Sequence, residues 1–241
     1  TTKIEWTTKT WNPTRGCTKI SPGCQNCYAE TFAKRFEGTP NHAYERGFTP
    51  RTVIEKLDEP KKWKKGHLIF VNSMSDLFHE EFNIEYIIKV CEVMKDCPRH
   101  TFQVLTKRAS RLHRLLNAEL KEYALLSNIW WGVSVENRQH GLPRIDLLRS
   151  TPAHTKFLSC EPLLEDLGSL NLKNIHWVIV GGESGPGFRS MDEDWALNIR
   201  NQCINQDVPF FFKQWSGYQT KKLGRKLQGS EYNEYPKEYN V

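Results

Sequence analysis

The chain has 241 residues, 38% of them hydrophobic and 26% charged, and 34 Lys plus Arg outnumber 28 Asp plus Glu for a formal charge of +6. Eight Trp, eight Tyr and twelve Phe supply the apolar area of a packed core, which excludes disorder for most of the chain. No window approaches eighteen uncharged apolar residues, and Thr1-Thr2-Lys3-Ile4-Glu5-Trp6 carries no signal core, so a cytoplasmic protein with no membrane partner is expected.

In chain order, a short strand is expected at residues 8–12, followed by the polar turn Asn12-Pro13-Thr14-Arg15-Gly16-Cys17. A cysteine-bearing loop comes next and opens into a helix at Tyr28-Ala29-Glu30-Thr31-Phe32-Ala33. Apolar runs recur at residues 67–71, 101–105, 129–133, 155–159, 176–180 and 209–212. They are rich in β-branched and aromatic residues and nearly continuous, the pattern of strands buried on both faces of a parallel sheet. Helical patterns lie between several of them, at 84–94 with Asn83 as N-cap, at 110–126, and at 194–205, while the helix after Ser159 is missing or very short. Strands alternating with helices imply right-handed βαβ units. About seven strands in this length predict an α/β fold, a partial or complete TIM-like β/α barrel over residues 1–215, with the cysteine loop at 12–30. Residues 216–241 are expected to form an irregular basic-aromatic tail.

In such barrels the active site forms at the C-terminal ends of the strands. Here those ends read Asn72-Ser73-Met74-Ser75-Asp76, Thr106-Lys107-Arg108, Ser134-Val135-Glu136-Asn137-Arg138, Cys160-Glu161-Pro162, Gly181-Gly182-Glu183-Ser184-Gly185 and Lys213-Gln214-Trp215. Polar tips converging on one rim make a polar pocket and point to an enzyme.

Seven cysteines without a secretion signal do not make a disulfide framework. Cys17, Cys24 and Cys27 have the spacing C-x6-C-x2-C, and Ser21-Pro22-Gly23 can fold the loop back on itself. Three soft thiolates suit zinc or an iron–sulfur cluster. A structural zinc asks for a fourth ligand, for which His42 and the distant cysteines are candidates. Three cysteines alone suit a [4Fe–4S] cluster with one iron left open for a small molecule.

A three-cysteine loop after the first strand of a β/α barrel, opening into a helix, resembles the radical S-adenosylmethionine enzymes. More closely, the chain resembles the phage Gp37/Gp68-like family of radical-SAM-like proteins, a domain of unknown function. Three motifs carry the likeness: Trp11-Asn12-Pro13-Thr14 through Gly16-Cys17, Cys24 and Cys27-Tyr28-Ala29; Val180-Gly181-Gly182-Glu183-Ser184-Gly185-Pro186; and Phe210-Phe211-Phe212-Lys213-Gln214-Trp215. The chain departs from the common radical-SAM pattern in its longer first cysteine gap, in Asn26 before the last cysteine, and in a Gly-Gly-Glu that follows the sixth strand.

The resemblance implies a set of roles. Cys17, Cys24 and Cys27 ligate a [4Fe–4S] cluster whose open iron chelates S-adenosylmethionine, and an electron donor reduces it to yield a 5′-deoxyadenosyl radical. Ser73 and Asp76 meet the ammonium of that cofactor, Glu136 and Asn137 take its ribose, Gly181 and Gly182 let the backbone approach it closely, with a tight turn as their alternative role, and Glu183 makes a polar contact. Cys160 is the candidate hydrogen-atom donor, with burial as a packing residue as the alternative. Tyr28 either transfers electrons or packs over the cluster.

Basic stretches suggest the substrate. Lys107, Arg108, Arg111, His113 and Arg114 form one, Lys61, Lys62, Lys64 and Lys65 around Trp63 another, and Lys213, Trp215, Tyr218, Lys221, Lys222, Arg225 and Lys226 a third. With the family's phage association and a general likeness to spore photoproduct lyase, another radical-SAM barrel, these point to DNA or RNA and to lyase-type repair or modification. Two rival readings stay open: a non-catalytic iron–sulfur or zinc protein that binds nucleic acid, and a radical enzyme acting on a small metabolite or nucleotide. The sequence carries no reading of oligomeric state.

Overall fold

The computed structural model describes residues 2–237. Among these residues, seven parallel strands form one sheet in sequential order: β1 Lys9–Trp11, β2 Leu68–Val71, β3 Thr101–Thr106, β4 Ile129–Ser134, β5 Thr155–Cys160, β6 Trp177–Gly181 and β7 Phe210–Gln214. The sheet curls into a half-barrel whose end strands β1 and β7 are not paired with each other among the described residues. The helices are α1 Tyr28–Lys34, α2 Ile84–Lys95, α3 Ala109–Leu116, α4 Lys121–Ala124, α5 Arg138–Arg149, α6 Glu193–Asn205 and α7 Thr220–Leu223. The fold is therefore the expected α/β architecture, a partial TIM-like barrel. No helix is long and apolar enough to cross a membrane among the described residues.

The continuous apolar runs are explained by two separate cores. Outward side chains such as Val71, Val104, Trp131, Leu158, Val180 and Phe212 pack beneath the helices. Inward side chains Phe70, Trp130, Phe157, Trp177 and Phe211 fill the lower barrel, joined by Trp6 from the segment before β1. Trp6 lies 4.7 Å from Phe70 and 6.2 Å from Trp177. Burying one such ring contributes about 2–3 kcal/mol. Gly132 makes room for this plug, because a Cβ there would stand 2.4 Å from Cζ of Phe157.

The structure divides one expected helix and adds another that was not expected. The single helix expected at 110–126 is two: α3 ends at Leu116, where the Asn117 side chain donates to the His113 carbonyl, and α4 restarts after Leu120. Helix α5 was not legible, because Gly141 and Pro143 interrupt its pattern. Its start is fixed by Asn137, whose side chain accepts from the His140 amide at 2.9 Å. No helix lies between β5 and β6, as expected.

The C-terminal tail is irregular apart from α7, but it is held against the sheet. The Phe212 amide donates to the Tyr232 carbonyl at 3.0 Å, the Phe210 amide to the Glu234 carboxylate at 2.8 Å, and Nε1 of Trp177 to the Glu234 carbonyl at 2.8 Å. Tyr235 then packs on Trp177 and Phe211. The tail thus covers the exposed edge of β7. Residues 238–241 of the expected tail lie outside the described residues.

Candidate active site

A cavity of about 380 Å³ opens at the C-terminal mouth of the half-barrel. Its floor is the top of the aromatic plug, Trp6, Phe70 and Leu105, and higher up its wall carries Asn72, Ser134, Ser159, Glu161 and Lys213. Period-2 alternation sends these polar positions inward once each strand rises above its apolar floor. Cys17, Cys24 and Cys27 line the same cavity, and each thiol is partly exposed.

Backbone contacts position the cysteine loop. Gly16 donates to the Met74 carbonyl and Cys17 to the Phe48 carbonyl, both at 3.1 Å, which lays Cys17 beside the tip of β2. Cys24 ends a short 3-10 turn, Pro22–Cys24, and its amide donates to the Ser21 carbonyl at 2.9 Å. Cys27 caps α1, its carbonyl accepting from both the amide and the hydroxyl of Thr31 at 3.0 Å.

Side chains from distant strands clamp this loop at both ends. At Cys17 the clamp is Arg108, only 5% exposed. Its guanidinium donates to Cys17 Sγ at 3.4 Å, to Asp76 at 3.3 Å, to Glu80 at 2.8 Å and to the Thr18 hydroxyl at 3.0 Å. Burial and the Asp76 charge outweigh that cation and push the Cys17 thiol up to about 11. At the other end, Arg189 grips Glu183 through its backbone amide and Nε, both at 2.9 Å, and through Nη2 at 2.5 Å. The same guanidinium reaches the Pro22 carbonyl at 3.0 Å and Gln25 at 3.3 Å, while Asn26 donates to Glu183 at 3.0 Å. Burial works against the Glu183 carboxylate, but these donors prevail and hold its pKa below the usual range.

The residues expected to hold S-adenosylmethionine divide into those open to the cavity and those engaged elsewhere. Ser73, Asp76, Gly182 and Glu183 line the cavity. The Asp76 carboxylate, however, is filled by Thr106, the Phe78 and Lys107 amides and Arg108. Glu183 is filled by Arg189 and Asn26, and the Ser73 hydroxyl donates to Asn12 at 3.3 Å. Asn137 serves as the cap of α5. Glu136 is fully buried beneath Gly23 and pairs with Arg144 at 2.5 Å. Gly181 leaves room for Glu161, and Gly182 lies against the Ser216 backbone, where a Cβ would stand 2.2 Å from nitrogen.

Cys160 needs correction as a hydrogen-atom donor. Strand alternation turns it outward into the core between sheet and helices, where it is fully buried. Its neighbours Ser159 and Glu161 face the cavity instead. Tyr28 lines the cavity and donates to the Ser73 carbonyl.

Of the residues assigned to nucleic acid, Lys107 and Lys213 are at the cavity, and Lys213 pairs with Glu161 at 2.7 Å. Arg108 is the Cys17 clamp. Arg111 is spent on the carbonyls of Phe78, His79 and Phe82. Trp215 packs on Phe212 and donates to the Lys226 carbonyl. The Lys61–Lys65 stretch surrounds Trp63, which packs against Lys9 at the start of β1, so it lies at the opposite end of the barrel.

Sequence reasoning gave no role to Asn72, Asn26 or Arg189. Asn72 is buried at the cavity wall, its oxygen accepting from the Thr14 amide while its Nδ2 has no partner. That amide group is a donor set ready for a ligand oxygen.

As a donor set, three thiols of one loop on one cavity wall suit a soft metal. Among the described residues no three His, Cys, Asp or Glu side chains are gathered tightly enough to hold one metal ion. One candidate fourth zinc ligand, His42, is stacked on Phe36 at 3.9 Å.

The chain belongs to the family described as "Protein of unknown function (DUF5131)", whose match covers residues 1–236. No curated protein and no solved structure matches it.

Proposed function

We propose that the chain is a radical S-adenosylmethionine-type enzyme. In this reading Cys17, Cys24 and Cys27 hold a [4Fe–4S] cluster, S-adenosylmethionine binds beside it in the cavity mouth, and the substrate is nucleic acid. The reading is carried by three thiols of one short loop lining one cavity at the C-terminal rim of a parallel half-barrel. When bound, the cluster and its cosubstrate supply one-electron chemistry that ends in abstraction of a hydrogen atom.

The chain's own groups then have definite tasks. Arg108 sets a fixed cation and an N–H donor against the Cys17 sulfur, which offsets negative charge on a metallated thiolate. Arg189, through Glu183 and the Pro22 carbonyl, fixes the loop carrying Cys24 and Cys27. Asn72 offers its unused amide hydrogens to a carboxylate or hydroxyl oxygen. Gly182 lets backbone approach closely. The floor of Trp6, Phe70 and Leu105 excludes water from the depth of the cavity, where a reactive carbon centre needs protection.

A second reading is a cluster or zinc protein that binds nucleic acid without cleaving S-adenosylmethionine. One observation favours it: the carboxylates of Asp76 and Glu183 are already filled by protein donors.

One measurement tests the ligand set and a second separates these readings. Cys24→Ala should lose its iron, because two remaining thiolates hold a cluster poorly, and retained iron would contradict the ligand set. Calorimetric titration of the iron-loaded protein with S-adenosylmethionine should show binding of one equivalent. Absence of binding to a fully loaded cluster would leave the second reading standing.

A further inference from the structure

Helix α1 and the segment after it form a surface that the cluster chemistry does not use. Tyr28 is 53% exposed and Phe32 42%, and Phe188, two residues beyond Pro186, is 38% exposed. Between α1 and Pro186 lies a second cavity of about 360 Å³, and its lining shares Asn26, Tyr28 and Ser184 with the main cavity. Large aromatic rings left open beside a cavity mouth mark an interaction surface.

The same surface is basic. Arg35, exposed at the end of α1, lines the second cavity. Phe32 packs edge-on against Tyr44 at 5.7 Å, and the Arg15 guanidinium lies 5.5 Å over the Tyr44 ring. Arg15 and Arg51 both donate to the Ala43 carbonyl, which brings two guanidinium groups together, Nη1 of Arg51 being buried and without a partner. Burial, then the fields of Arg15 and of exposed Arg46, lower the pKa of Arg51 against the opposing charges of Tyr44 and Glu55. Among the described residues Arg15, Arg35, Arg46 and Arg51 form no ion pair with a carboxylate, whereas nearby Lys19 and Lys34 are tied to Glu30 at 2.9 and 2.8 Å. Clustered cations that form no ion pair, beside partly exposed aromatic rings, match a polyanion whose bases are open to stacking.

We infer that this face docks single-stranded nucleic acid, with phosphates on Arg15, Arg35, Arg46 and Arg51, bases on Tyr28, Phe32 and Phe188, and the strand led to the cavity mouth. The inference rests on the nucleic-acid reading of the substrate and does not depend on cleavage of S-adenosylmethionine. The Lys61–Lys65 stretch is the contrast: its one aromatic ring, Trp63, is half-buried, with Lys9 over one face at 4.8 Å and His67 and His100 edge-on.

The test is fluorescence anisotropy of the reconstituted protein with a fluorescein-labelled mixed-sequence single strand and a duplex of the same length, over a range of salt, with iron counted in every sample. The variants are Arg35→Ala/Arg46→Ala and Phe188→Ala, all exposed positions, with Lys61→Ala/Lys62→Ala/Lys64→Ala as the control. The arginine pair should weaken single-strand binding at least tenfold at low salt and flatten the salt slope by about 1.4, from ~0.7 per lost phosphate contact. Phe188→Ala should weaken it about fivefold or more with the slope unchanged. The control should bind as the parent does. Parent-like binding by both platform variants, a loss confined to the control, a preference for duplex, or no single-strand binding by iron-loaded protein would each overturn the inference. Single-strand binding by protein that takes up no iron would instead defeat the cluster reading and leave the platform standing.

Discussion

One nitrogen of Arg108 serves both the sulfur of Cys17, at 3.4 Å, and the carboxylate of Asp76, at 3.3 Å. The first cysteine is thereby tied to the tips of β2 and β3, so the geometry of a metal site and the stability of the sheet depend on the same buried cation. Removing it leaves Asp76, which is 6% exposed, hydrogen-bonded to Thr106 and to the Phe78 and Lys107 amides but without its counter-charge. Arg108→Leu should destabilise the metal-free protein by about 3 kcal/mol or more in urea unfolding, because an uncompensated buried charge is left behind. A cost below about 1 kcal/mol would show that the network is not holding the loop.

Glu183 makes stability depend on acid. Its pKa is held below the usual glutamate range, so the unfolded chain binds its proton first as the pH falls. The stabilisation is fully present above about pH 4.5 and is lost as pH drops through the folded pKa. Glu183→Gln should be less stable than the parent at pH 7, and the gap should narrow steadily below about pH 4.5 in urea midpoints. A constant gap would place the effect in packing and not in charge.

Glu183 and Arg189 should also act as a unit. Alanine at both positions should show a coupling energy of about 1–3 kcal/mol in a double-mutant cycle, since the pair is in direct contact and only partly exposed. Both single variants should retain less iron than the parent after gel filtration. Additive effects with full iron retention would mean that the clamp does not position the cysteine loop.

Cys160→Ala should leave iron content and ligand binding unchanged and cost about 1 kcal/mol of stability, the price of a small buried side chain on the outer face of β5. Loss of function with a parent-like fold would return Cys160 to the chemistry.

The barrel was readable because a parallel sheet buried on both faces leaves continuous apolar runs, and each of the six, like the short first strand expected at residues 8–12, lies within a residue or two of its strand. Continuity conceals the split between inner and outer cores, however, so the sequence does not say that Cys160 faces the helices. Helix α5 was hidden by Gly141 and Pro143, residues that oppose helix formation and are tolerated here by packing against β4 and β5. The three cysteines were legible from spacing alone. Their clamps were not, because Arg108 and Arg189 reach the loop from 91 and 167 residues away in the chain. The α1 platform was also hidden, since Arg15, Arg35, Arg46 and Arg51 form no charge run and meet only through folding of the segment after α1.

The central claim is that Cys17, Cys24 and Cys27 hold a four-iron cluster with one iron open to S-adenosylmethionine. The most direct test is anaerobic reconstitution, iron and sulfide quantification, and electron paramagnetic resonance of the reduced protein with and without S-adenosylmethionine. The account predicts about four irons per chain and a reduced-cluster spectrum that shifts when S-adenosylmethionine is added. Zinc in place of iron, or a cluster spectrum indifferent to S-adenosylmethionine, would contradict it.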